Sequence, residues 1–64
     1  KREKECLEVV KAKPITPGDL LAKLTMRNAK YWTSRKVHRM IEALAAKEVI
    51  RKQPGEYEYQ LVAA

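Results

Sequence analysis

Three prolines, at positions 14, 17 and 54, divide this chain of 64 residues before any other signal is weighed. Proline lacks a backbone N–H and pushes the residue before it out of the helical region. A helix entering from the N-terminus must therefore end just ahead of Pro14. Pro17 acts in the opposite sense, because its fixed φ suits the first position of a helix. Thr16 in front of it is a candidate N-cap, and Asp19 stands three positions after that cap. Ile15, just before the cap, is placed to staple onto Leu20 or Leu21. Pro54 is followed by Gly55, a turn pair.

The segments between these marks carry their own periodicity. Residues 2–12, "REKECLEVVKA", predict a helix whose apolar side is Cys6, Leu7, Val9 and Val10. Residues 17–24 predict a second helix resting on Leu20, Leu21 and Leu24. A third is expected over about 34–48, capped by Ser34 or Thr33. The stretch "TMRNAKYW" before it is either the turn between helices or a backward extension of the third. Strands are expected at about 49–53 and 56–62 around Pro54-Gly55. Placing Gln53 opposite Glu56 pairs Lys52 with Tyr57, Arg51 with Glu58 and Ile50 with Tyr59, and the opposite-charge and aromatic–aliphatic pairs among these are favourable. Ile50, Tyr57, Tyr59 and Leu61 then share one face. Pro-Gly favours a type II turn, whose twist suits a tight hairpin poorly, so a longer loop is the alternative. The expected fold class is α+β, mainly α: three helices and a C-terminal two-stranded hairpin. Residues 1–64 fill one small domain and leave no room for a second. A start at Lys1 rather than Met favours a segment of a longer protein, whose other domains would be its neighbours.

The net charge of +6 is large for this length and points to a polyanion. Between Thr25 and Arg39 stand Arg27, Lys30, Arg35, Lys36 and Arg39, with no acid among them. The C-terminal portion carries Glu56 and Glu58 instead. Cys6, the one cysteine, excludes an internal disulfide and fits a reducing, intracellular setting. With His38 as the one histidine, a zinc site is not expected. No apolar run approaches the roughly 18 residues of a membrane span. No cofactor, metal, membrane or small-molecule ligand is therefore expected. With acid–base groups limited to scattered carboxylates and one histidine, catalysis is not expected either.

The third helix has two distinct sides. Turning about 100° per residue from Arg35, Val37, Met40, Ile41 and Leu44 gather on one side. Arg35, Lys36, Arg39, Glu42 and Ala43 gather on the other. The bases lie at the helix N-terminus, where the dipole disfavours cations. The bland account, a solvated basic face, does not explain that position.

The order helix, helix, turn, helix, hairpin resembles the winged helix-turn-helix superfamily over nearly the whole chain. Within it, "RMIEA" at Arg39–Ala43, followed by a short strand, is similar to the recognition helix of the C-terminal gamma domain of bacterial DNA translocases. The nine residues from Thr25 to Thr33 exceed the superfamily's usual tight turn. The resemblance implies that the third helix enters the major groove of double-stranded DNA and that the hairpin lies beside it as a wing. Candidate DNA contacts are then Thr33, Ser34, Arg35, Lys36, His38 and Arg39 on the third helix, with Arg27, Lys30 and Tyr31 ahead of it. Arg51 and Lys52 are the wing candidates, and Lys11, Lys13 and Thr16 are weaker ones. Trp32 has two readings: it packs on sugar–phosphate or a base, or it plugs the gap between the second and third helices. His38 likewise either contacts phosphate or is structural. The expected function is transcriptional regulation, or DNA attachment for a larger replication, recombination or translocation protein. The alternatives are a protein-interaction module whose basic face meets an acidic partner, and a binder of RNA or non-B DNA.

Overall fold

The computed structural model describes residues 2–64. Helices α1 (Arg2–Ala12), α2 (Pro17–Arg27) and α3 (Ser34–Ala46) are followed by strands β1 (Ile50–Gln53) and β2 (Gln60–Ala63). This is an α+β, mainly α arrangement with the layout of a winged helix-turn-helix. The proline marks act as the sequence indicates. α1 ends two residues short of Pro14, and Pro17 opens α2. The Thr16 hydroxyl accepts a hydrogen bond from the Asp19 amide at 3.2 Å, which satisfies one of the amides left free at a helix start.

The ends of α2 and α3 differ from the expected 24 and about 48, whereas α3 starts at Ser34 as expected. α2 runs on to Arg27, absorbing Thr25, Met26 and Arg27 from the "TMRNAKYW" stretch. The Thr25 hydroxyl donates back to the Leu21 and Ala22 carbonyls, which lets a β-branched residue sit in the last turns. α3 does not extend backward through Tyr31 and Trp32; residues 28–33 form a turn, and the cap is Thr33. Asn28 organises that turn. Its carbonyl accepts from the Tyr31 and Trp32 amides at 3.2 and 3.0 Å, and its side-chain oxygen accepts from Tyr31 as well.

The hairpin register also differs. Gln53 faces Gln60, Lys52 faces Leu61, Arg51 faces Val62 and Ile50 faces Ala63. The expected Arg51–Glu58 and Ile50–Tyr59 pairs do not form, and residues 54–59 are a loop rather than the start of the strand. The partner has moved by four residues along the second strand, an even number. Leu61 therefore keeps the inward side it was given while Tyr57 is left 92% exposed. The cause lies outside the hairpin. Ile15 and Leu61 exchange two backbone hydrogen bonds, at 3.1 and 2.7 Å, so β2 is held between β1 and the residue just before the α2 cap. That fixes Leu61 in the core and leaves the turn to span what remains. Within the loop, a methyl placed at Gly55 would collide with the Glu58 carbonyl, so this close approach requires glycine.

The core is one cluster drawn from every element. Cys6, Val9 and Val10 come from α1, Leu20 and Leu24 from α2, and Val37, Ile41 and Leu44 from α3. Ile15, Trp32, Ile50 and Leu61 close it. Burial pushes the Cys6 thiol up to about 11, so at neutral pH it is an uncharged apolar filler.

α3 ends in a Schellman arrangement: the Glu48 amide donates to the Ala45 carbonyl at 3.0 Å and the Val49 amide to that of Leu44 at 3.2 Å. Glu48 takes the left-handed position with φ of 63°, a place that favours glycine. Glu48→Gly is therefore expected to stabilise the domain by about 1 kcal/mol. A thermal melt should show this as an increase of roughly 4–8 °C in Tm.

Candidate nucleic-acid interface

α3 is anchored on one side and open on the other. Val37, Ile41 and Leu44 are buried and Met40 half-buried, the apolar side expected from the wheel. Its first turn is capped by Thr33, whose hydroxyl accepts from the Lys36 amide at 3.2 Å. α1 and α2 carry acids in their first turns, Glu3 and Glu5 in one and Asp19 in the other, whereas α3 has none. Arg35 and Lys36 stand there instead. A cation at a helix N-terminus costs about 0.3–1 kcal/mol against the dipole, so local stability does not explain the choice.

The bases between Thr25 and Arg39 are not equivalent once folded. Arg27 reaches back to Glu8 on α1, with its guanidinium 3.2 Å from the carboxylate, and is partly neutralised there. Lys30 is exposed in the 28–33 turn. Lys36 extends its amine over the Tyr31 ring at 4.0 Å from the centroid, and the same ring carries the Arg2 guanidinium at 4.1 Å. Tyr31 is thus a half-buried support that holds two cations by attraction to its ring. Arg35 and Arg39 are exposed and belong to no salt bridge among the described residues. They stand four positions apart, one helical turn, on the side opposite the core.

Trp32 is a core residue, which corrects its candidacy as a DNA contact. It is 2% exposed, its indole N–H donates to Glu5 on α1 at 3.0 Å, and its ring meets the edge of Tyr31 at 4.9 Å between centroids. A ring so enclosed has no face left for a base. His38 is exposed, and its Nδ1–H donates to the Ser34 carbonyl at 2.8 Å, which ties these two candidates to each other. Thr33 and Ser34 remain exposed beside them at the helix start.

The hairpin contributes less positive charge than its sequence implies. Lys52 donates to the Glu42 carboxylate on α3 at 3.0 Å, and that hydrogen bond is the main reason its pKa is raised. Its amine also lies 5.1 Å from the Tyr59 ring centroid. Arg51 is exposed and unpaired among the described residues, the remaining wing cation. The loop glutamates Glu56 and Glu58 border a hollow shared with Thr16 at the start of α2. Sequence reasoning placed Glu42 on the basic side of α3 but assigned it no role. Its link to Lys52 joins residues ten apart across a chain reversal, which no local pattern displays.

No helix among the described residues is long and apolar enough to cross a membrane. Among those residues, no three His, Cys, Asp or Glu side chains gather as a metal-holding group. Compared with known proteins, the chain matches no family model, no curated protein and no solved structure.

Proposed function

We propose that this domain binds double-stranded DNA, with α3 in the major groove and the hairpin beside it. One observation carries the proposal: Arg35, in the first turn of α3 at the positive end of the helix dipole, and Arg39, one turn further on, project from the open side of the helix, unpaired with any carboxylate among the described residues. A 13-residue helix is about 20 Å long, and an α-helix fits the roughly 12 Å width of the major groove. Arginine's planar fork suits the two acceptors of guanine, while Lys36, Lys30 and Arg51 suit phosphates. Ser34, Thr33 and His38 at the helix start supply shorter-range polar contacts. The winged-helix layout supports this orientation. The module serves either a transcriptional regulator or a larger replication, recombination or DNA-translocating protein.

Fluorescence anisotropy with a labelled duplex tests the proposal. About four phosphate contacts give an affinity that falls roughly a hundredfold between about 50 and 200 mM salt. Unlabelled duplex should compete better than single-stranded DNA or RNA. Absence of duplex binding, or binding indifferent to salt, rejects the proposal. Stronger competition by RNA moves the role to RNA recognition, and selective capture of an acidic protein moves it to an interaction module.

A further inference from the structure

We propose, resting on that duplex-binding role, that the Tyr31 ring is a positioning group, setting Arg2 and Lys36 as a clamp for the phosphate strand on the edge of α3 away from the hairpin. A helix lying in the major groove has a sugar–phosphate strand along each of its edges. Glu42 marks one edge of the open side of α3, where Lys52 of β1 meets it. Turning about 100° per residue, Lys36 and Ala43 lie about 100–120° around the helix from Glu42, with Arg35 and Arg39 between. On that second edge Glu3 of α1 and Tyr31 border a hollow together with Lys36 and Ala43. The first turn of α1 therefore flanks α3 on the edge that the hairpin leaves open.

The ring gathers two cations there. The Arg2 guanidinium carbon stands 4.1 Å from its centroid and the Lys36 amine 4.0 Å, so the charges are separated by at most the sum of these distances. Like charges repel, and the shared attraction to the ring offsets that repulsion. The ring is itself fixed. The Tyr31 amide donates to both oxygens of Asn28, and the ring packs edge-on against the buried Trp32. Nearby acids are engaged: Glu3 pairs with Lys47, and Glu5 accepts the Trp32 indole N–H at 3.0 Å. The contact between Glu5 and Arg2, at 3.5 Å, is long for a charge-assisted bond. Lys36 belongs to no salt bridge among the described residues. Each cation keeps N–H donors that the ring does not occupy, free for phosphate oxygens. Without the ring, both long side chains would have to be immobilised on binding, which weakens affinity.

Anisotropy titrations of a labelled duplex at several salt concentrations test this with the wild-type chain, Tyr31→Phe, Tyr31→Leu and Arg2→Ala. Tyr31→Phe keeps the ring and should bind within about twofold of wild type. Tyr31→Leu keeps an apolar side chain without a π face, and should bind about fivefold more weakly. Arg2→Ala should weaken binding about threefold and make the salt dependence shallower by about one phosphate contact. In the Tyr31→Leu background the same Arg2 change should cost only about 1.5-fold, because the clamp is already lost. Thermal melts check that the variants are folded. The Arg2 side chain is 39% exposed and outside the core cluster, so the Arg2→Ala arm decides even where Tyr31→Leu melts below the assay temperature. Wild-type affinity and salt dependence in Arg2→Ala overturn the proposal. So does Tyr31→Phe binding as weakly as Tyr31→Leu, or an Arg2 effect of equal size with and without the ring. These results leave duplex binding standing, whereas a wild type that binds no duplex overturns that role itself.

Discussion

Replacing Trp32 with alanine is expected to leave most of the domain unfolded at 25 °C. The side chain is the largest in the fully buried set, and it joins the turn before α3 to α1. Truncating a buried tryptophan to alanine costs about 3–5 kcal/mol through reduced burial and an unfilled cavity. The same change also removes the indole N–H that Glu5 Oε1 accepts at 3.0 Å, leaving that carboxylate to Arg2 and water. A chain of 64 residues has on the order of 3–10 kcal/mol of stability in total, so the loss is comparable with the whole. Circular dichroism should show the helical signal collapsing. A thiol reagent should modify Cys6 rapidly in the variant and slowly in the native protein, where the thiol is buried and un-ionised. Trp32→Phe keeps most of the packing but removes the bond to a charged acceptor, and should cost only about 2 kcal/mol. A Trp32→Ala variant as stable as wild type would remove Trp32 from the core.

The second large effect is on binding and leaves the fold alone. Arg35→Ala/Arg39→Ala is expected to weaken duplex affinity about thirtyfold or more, because each arginine–guanine contact is worth about 1–3 kcal/mol. Both side chains are exposed, outside every salt bridge among the described residues, so stability should stay within about 0.5 kcal/mol of wild type. The salt dependence should change little, since the two arginines contact bases and the phosphate contacts of Lys30, Lys36 and Arg51 remain. Lys4→Ala/Lys23→Ala removes the same charge from α1 and α2, and should lower affinity only by the smaller, long-range share. Equal losses of affinity from the two double variants would mean that net charge, and not the α3 surface, attracts the duplex.

What could be read in the sequence was local. Pro14, Pro17 and the Thr16 cap act within a few residues, and their effects are where they were expected. The apolar stripe of α3 was legible because helical period alone sets it, and Val37, Ile41 and Leu44 are buried accordingly. The hairpin register was not legible, because the Ile15–Leu61 bridge that fixes it joins residues 46 apart. The same holds for the candidate surface. Glu5 captures Trp32, Glu8 captures Arg27 and Glu42 captures Lys52, each across a tertiary contact. Sequence spacing located the basic window, but folding decided that Arg35 and Arg39 are the arginines left free in it.

An amide-resolved NMR titration of the 15N-labelled chain with a short duplex puts the interface itself on view. The largest shifts should cluster from Thr33 to Ala43 on α3, with a smaller group around Arg51, and they should fade as salt is raised. Trp32 and the amides of α1 between Cys6 and Val10 should move little. Shifts centred on the groove between α1 and α2, where Lys13, Lys23 and Arg27 lie, with α3 unaffected, would show that the recognition surface has been assigned to the wrong face.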